Sequence, residues 1–164
     1  MNSPRAELRN ELTAKLLPAL RARGFAGADQ IGGNRIFHDF RRPHGTATHV
    51  IILQLEKLGL PRFMLNLAIE PAGGFSEIIE SGGTIVQGRV HPISRIRFKE
   101  SLSLRQRLFG EIYDTPVSAV DHCLEMLPEI DAWWNDQRAS ANISVHETRY
   151  PGRASGMAPD PTRR

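Results

Sequence analysis

Residues 46–70 read TATHVIILQLEKLGLPRFMLNLAIE, and this stretch decides the fold. Two runs rich in aliphatic residues, 46–58 and 62–70, lie on either side of the short segment Gly59-Leu60-Pro61. Apolar runs joined by a brief Gly/Pro connection are typical of two strands in an antiparallel hairpin. The stretch therefore predicts the centre of an antiparallel sheet.

The register of this hairpin decides which side chains share a face. A three-residue loop at 59–61 places Leu53 opposite Leu67 on the face that would be buried. The same register places Gln54 opposite Asn66 on the other face, as an amide pair in mid-strand.

Working outward, 35–41 is predicted as an earlier strand and 84–98 as one long or two shorter later strands. Ser3-Pro4 and Thr115-Pro116 each have the form of a helix N-cap followed by proline, and each precedes apolar residues at helical spacing. Short connections between successive strands leave no room for parallel crossovers. The prediction is an α+β fold: an antiparallel meander sheet of about four or five strands with an N-terminal and a C-terminal helix on one face.

Length and composition predict one domain. A chain of 164 residues is of the size that folds around a single core. After residue 140 the composition shifts to Pro, Gly, Ser, Ala and Arg with little apolar periodicity. We therefore expect a single α+β domain over 1–140 and a disordered tail over 141–164.

The single cysteine and the short apolar runs bear on the compartment. Cys123 has no second cysteine with which to form an internal disulfide, which favours a reducing, cytoplasmic environment. No apolar run approaches the roughly 18 residues of a membrane-spanning helix, and no apolar segment typical of an export signal follows Met1. The sequence predicts a cytoplasmic protein without membrane association.

Charges are segregated along the chain. The segment 89–107 holds six basic residues and one acidic residue, whereas 111–136 holds seven acidic residues and no lysine or arginine. The plainer interpretation is that these two segments neutralise each other in the fold. The alternative is a basic surface that faces a ligand.

That basic surface would be built on an extended segment. Arg89, Arg95 and Arg97 share parity, so they project from one face if Pro92 does not reverse the alternation. Arginine binds carboxylate or phosphate bidentately through its planar fork. With Gln54 and Asn66 on the open face of the sheet, these arginines are the predicted binding residues.

The motifs of the better-known chemistries are missing from the sequence. There is no Walker motif, no Gly-x-Gly-x-x-Gly and no His-Glu-x-x-His. Cys123 follows His122 directly, and adjacent residues on a helix do not face each other. We predict no catalytic residues, no metal ligands and no cofactor.

Several short motifs resemble an uncharacterised bacterial family known only as a domain of unknown function. The matching residues are a helix that ends in Gly24-Phe25, a strand that contains Gln54, the run Arg62-Phe63-Met64-Leu65-Asn66, and Arg95-Ile96-Arg97. The resemblance spans about residues 8–135, and the tryptophan pair that this family can carry soon after its Arg-x-Arg has no counterpart there, since Trp133-Trp134 lies later. The resemblance implies a fold and no activity.

The function predicted is a non-enzymatic interaction module, of the accessory or immunity type, that binds an acidic protein partner or a carboxylate-bearing ligand. One alternative is a small-molecule enzyme with its site on the open sheet face, where Gln54, Asn66 and Arg95 or Arg97 would converge. The other is a nucleic-acid-binding protein that uses 89–107 and the arginine-containing tail. The scarcity of aromatic residues among the basic ones, together with the acidic helix, disfavours nucleic acid.

Overall fold

A computed structural model describes residues 3–56, 61–90 and 115–152. Within these residues the sheet has six strands: β1 Ala26–Gly27, β2 Phe37–His44, β3 Ala47–Leu55, β4 Phe63–Glu70, β5 Gly83–Val90 and β6 Ile143–Tyr150. The helices are α1 Pro4–Glu11, α2 Leu17–Ala22, α3 Gly74–Ser81, α4 Pro116–Glu125 and α5 Leu127–Asp136, with a π-helical segment at Leu12–Leu16 between α1 and α2.

The N-terminal helical run begins as predicted and changes geometry ahead of a proline. The Ser3 hydroxyl accepts the N–H of Ala6 at 3.3 Å, which caps the first turn. Pro18 has no N–H to donate to the carbonyl of residue 14, and the backbone just before it takes π-helical bonds, with the Leu17 N–H donating to the Leu12 carbonyl. The leucine stripe stays buried through this change.

All six strands are antiparallel and lie in the sheet in chain order. One side, which we call the core face, carries buried side chains: Phe40, Ile51, Leu53, Leu65, Leu67 and Val90. Apolar residues of α1, α2, α4 and α5 join the same buried cluster. The predicted α+β meander is confirmed, and the opposite side of the sheet, the open face, carries the remaining side chains of each strand.

The β3–β4 register differs from the prediction by two residues. Leu53 lies opposite Leu65, and Gln54 lies opposite Met64 instead of Asn66. The connection is longer than predicted, because the strands end at Leu55 and resume at Phe63. A shift of two residues keeps every side chain on its predicted face, since strand side chains alternate with period two.

The strand count is six, so the prediction of four or five is wrong. Two strands lie outside the predicted ones: the two-residue β1, and β6, which pairs with β5 over its whole length although it lies in the segment predicted as a disordered tail. β6 is an edge strand: half of its side chains are exposed and polar, and only Ile143 is buried. A strand with so few buried apolar side chains is not predicted by apolar periodicity.

Two helical segments also differ from the sequence interpretation. The segment between the paired glycines Gly73-Gly74 and Gly82-Gly83, which by themselves indicate only turns, forms the helix α3. The predicted C-terminal helix is divided in two at Met126. Pro128 lies two residues later, in the first turn of the second helix, which is the part of a helix that accepts proline because its N–H groups have no partner there. Among the described residues, no helix is long and apolar enough to cross a membrane.

Candidate functional site

Three of the five predicted binding residues meet on the open face of the sheet. They are Gln54 of β3, Asn66 of β4 and Arg89 of β5. Arg95 and Arg97 lie outside the described residues.

The predicted amide pair is in contact in spite of the register error. Asn66 Nδ2 donates to Gln54 Oε1 at 3.4 Å. Because Gln54 lies opposite Met64, Asn66 is its diagonal neighbour, and diagonal neighbours on one face are within reach of long side chains.

Arg89 continues the row on the next strand. It lies directly opposite Asn66 in the β4–β5 ladder, and its Nε donates to Asn66 Oδ1 at 3.0 Å. Asn66 thus accepts from Arg89 and donates to Gln54, so both ends of its amide are used. The contacts leave the two terminal amino groups of the Arg89 guanidinium without a partner among the described residues.

Two carboxylates of the open face, Glu70 and Asp39, are not partners of Arg89. Arg41 makes an ion pair with Glu70 on the same face. Asp39 lies on β2, three strands from β5, which corresponds to about 14 Å. Within the described strands, Arg89 is therefore a positioned cation without a neighbouring carboxylate.

The expectation that the basic and acidic segments neutralise each other is wrong for Arg89. Gly88 packs against the Trp133 ring of α5 on the core face, so its neighbour Arg89 points to the open face, away from the acidic helices. The helix carboxylates have other partners: Lys15 Nζ is 2.8 Å from Asp121, and Arg23 Nε is 3.0 Å from Asp131.

An apolar patch borders the polar row. Phe37 lies opposite Gln54 in the β2–β3 ladder, and its side chain is 49% exposed. On the other side of Gln54 is the half-buried Met64. The open face thus offers an exposed aromatic ring on β2 and a positioned guanidinium three strands away on β5, two residue types that are enriched at protein interfaces.

β6 extends the polar row with two residues that the sequence analysis did not select. Ser144 lies opposite Arg89, and its Oγ is 3.1 Å from His146 Nε2. Both were missed because 141–164 was predicted as a tail. The alternation of Ile143 and Val145 with polar residues is the signal that indicates a half-exposed strand.

The core face holds a histidine and arginine network near the β2–β3 turn. His49 stacks on Trp134, with ring centroids 4.6 Å apart and planes 8° from parallel, and it stacks on His44 on its other side. Arg42 Nη2 lies 3.1 Å from His49 Nδ1. Since arginine only donates, His49 Nδ1 accepts and its proton lies on Nε2.

Burial and then the Arg42 charge lower the pKa of His49 to about 4. His49 is therefore neutral at physiological pH and part of a packed network. In the described part of the chain, no group of three His, Cys, Asp or Glu residues could hold a metal ion.

Cys123 is not available as a nucleophile. The thiol is fully buried in α4, and burial raises its pKa to about 12. A protonated, enclosed thiol does not attack a substrate. The predicted binding residues that the structure describes present a guanidinium and two amides on the open face, near the exposed ring of Phe37.

Comparisons with protein-family models, with curated proteins and with solved structures found no match for this chain. The resemblance to an uncharacterised bacterial family stays a prediction.

Proposed function

We propose that this protein is a non-enzymatic interaction module whose open sheet face binds an acidic segment of a protein partner. The observation that carries the proposal is the Arg89 guanidinium, which Asn66 holds in place and which has no carboxylate partner among the described residues. A cation positioned in this way is complementary to a carboxylate.

The geometry favours a carboxylate bound end-on. The Arg89 Nε–H is occupied by Asn66, so the two terminal amino groups form the free end of the fork. This end can donate two parallel hydrogen bonds to one carboxylate. Because the side chain is already held by a hydrogen bond, it loses less conformational freedom on binding than a free arginine does.

The exposed ring of Phe37 favours a protein over a free small anion. Phe37 lies three strands from Arg89, about 14 Å across the sheet, so it offers apolar contact area that a small carboxylate-bearing metabolite bound at Arg89 does not reach. We propose that the partner places an apolar side chain against Phe37 and an Asp or Glu against Arg89. We further propose the cytosol as the compartment, since the one cysteine of the sequence is a free thiol.

One observation favours the enzymatic alternative. Ser144 Oγ and His146 Nε2 are 3.1 Å apart, within the distance of a nucleophile and its base, and Ser144 lies opposite Arg89. A carboxylate that would orient the other nitrogen of His146 is not found among the described residues. Hydrolysis of p-nitrophenyl acetate that disappears in Ser144→Ala would establish this alternative.

The interaction proposal is tested by capture from a nuclease-treated lysate of the source organism. The wild-type protein, Arg89→Ala and Phe37→Ala are compared with Arg149→Ala, a control that removes an equally exposed arginine at the far end of β6. We expect a stoichiometric protein partner with the wild type and with Arg149→Ala, and its loss in Arg89→Ala and Phe37→Ala. A partner that Arg89→Ala still captures contradicts the proposal. So does a partner that is captured from untreated lysate and lost from nuclease-treated lysate.

A further inference from the structure

A cleft lies beside the first part of β2, away from the open-face row. Its volume is about 580 Å³, within the range of small-molecule sites. The lining comes from the glycine-containing loop between β1 and β2 and from one residue of β2, and includes Gly27, Asp29, Gln30, Gly33, Arg35 and His38.

His38 is the unusual group in this cleft. Its side chain lies on the core face and is only 4% exposed. Neither ring nitrogen has a hydrogen-bond partner of good geometry. Buried polar atoms without partners are rare in native proteins, and their presence in a cleft indicates a ligand that completes them.

Two positive charges, those of Arg35 and Arg9, lie near this histidine, together with the negative charge of Asp39. Burial, then the Arg35 charge and more weakly the Arg9 charge lower the pKa of His38, while a contact with the Arg35 backbone acts in the opposite direction. A neutral imidazole offers one nitrogen that donates and one that accepts.

The two arginines are not neutralised by carboxylates in the described part of the chain. Arg9 Nη2 donates to the Gly33 carbonyl at 3.0 Å, and its buried Nε has no partner. Arg35 is exposed and makes no ion pair there. The acid of the cleft, Asp29, is engaged with Arg21 at 2.8 Å.

The loop that forms the cleft is anchored to the helical layer. The Ile31 N–H donates to Thr13 Oγ1 at 3.0 Å, and Thr13 belongs to the π-helical segment. Gly33 has φ of +66°, a left-handed conformation that glycine adopts without steric cost and that most other residues avoid. The hydrogen bonds from Ile31 to Thr13 and from Arg9 to Gly33 hold the loop in place, so the cleft is formed without a ligand.

We propose that this cleft binds the anionic group, phosphate or carboxylate, of a small molecule. Arg35 and Arg9 supply the charge, and His38 donates a hydrogen bond from the buried end of the cleft. The site is separate from the open-face row, because its residues lie at the β1–β2 side of the sheet and the His38 side chain is buried on the core face.

The test uses inorganic phosphate and acetate as separate probes, at constant ionic strength, with nitrogen-15 NMR of the His38 ring as the readout. We expect a saturable shift of the His38 ring nitrogens with at least one of the two anions. The more tightly bound anion identifies the chemical class of the ligand. In Arg35→Gln we expect the dissociation constant to rise about tenfold, the usual effect of losing a hydrogen bond to a charged group.

Arg138→Gln is the matched control, since Arg138 is exposed and follows α5, outside the cleft lining. It should bind the probe as the wild type does. Arg35 is exposed, so Arg35→Gln should fold normally, and its denaturation midpoint verifies this. No saturable shift of His38 with either anion, or an equal shift in Arg35→Gln, overturns the proposal.

Discussion

Arg89 and Asn66 face each other across the β4–β5 ladder, and the Arg89 Nε donates to Asn66 Oδ1 at 3.0 Å. Asn66 in turn donates to Gln54 at 3.4 Å. The result is a row of side chains across three strands that ends in a guanidinium with its outer end free. Among the described residues, the helices α1, α2, α4 and α5 pack on the opposite face of the sheet, and in our account the partner binds to this row.

The first prediction concerns Asn66→Asp. The new carboxylate has nearly the shape of the amide and lies against Arg89, so it forms an internal ion pair in place of the one that the partner would make. We expect partner capture to fall at least about tenfold, the scale of losing one charge-assisted hydrogen bond. A pull-down titration against the wild type measures this.

The control for Asn66→Asp is Asn66→Ser, which leaves Arg89 without an internal carboxylate. Partner capture should fall less in Asn66→Ser than in Asn66→Asp. Equal losses in the two variants would show that Asn66 acts through the structure of the strand and not through the charge that it presents to Arg89.

The second prediction concerns acid stability and His49. The pKa of this ring is about 4 in the folded protein against an ordinary value of 6.5, because of burial and then the neighbouring Arg42 charge. Between these two values the unfolded chain binds the additional proton, so the free energy of unfolding falls as the pH drops from 6.5 towards 4. We expect this group to contribute about 2 kcal/mol to that fall.

Urea denaturation across this pH range measures the effect, with His49→Phe as the comparison. Phenylalanine keeps a ring against Trp134 and cannot titrate, so the variant should lose stability less steeply on acidification. His38 contributes to both proteins in the same direction, since its pKa is also lowered by burial. Identical pH slopes would show that His49 keeps the same pKa in the folded and unfolded chains.

The third prediction concerns β6. Ile143 is 2% exposed and pairs with Val90, so Ile143→Ala removes a buried side chain from the core. We expect a loss of about 2–4 kcal/mol in the free energy of unfolding. His146→Ala, an exposed position on the same strand, should change it by less than about 0.5 kcal/mol. Equal, negligible effects would show that 143–150 is a tail, as its composition predicted.

Much of the fold could be predicted because it depends on local patterns. The leucine stripe of the first helix and the alternation around Gln54 and Asn66 predict elements and faces from neighbouring residues alone. The register could not be predicted in the same way, because it depends on the length of the connection between Leu55 and Phe63. The side chains of β3 and β4 were nevertheless assigned to the correct faces, because a register error of two residues preserves the alternation.

The part of the site that was missed depends on contacts between residues distant in sequence. Ser144 joins the row only because β6 returns to pair with β5, and an exposed edge strand has a composition close to that of a loop. His38 is one histidine in an alternating strand, and nothing in its sequence neighbourhood predicts that both ring nitrogens lack partners. The partners of Asp121 and Asp131 likewise follow from how the N-terminal and C-terminal helices pack on each other.

In our account, Arg89 is the group of the open face that binds a carboxylate of the partner. Its most direct test is a titration with a hexaglutamate peptide, followed by nitrogen-15 NMR of the arginine side chains, with Arg149 in the same sample as the internal reference. Our account predicts a saturable shift of the Arg89 signal that is larger than that of Arg149 and is abolished in Asn66→Asp. A shift of Arg89 no larger than that of Arg149 would show only general attraction between charges and would contradict the account.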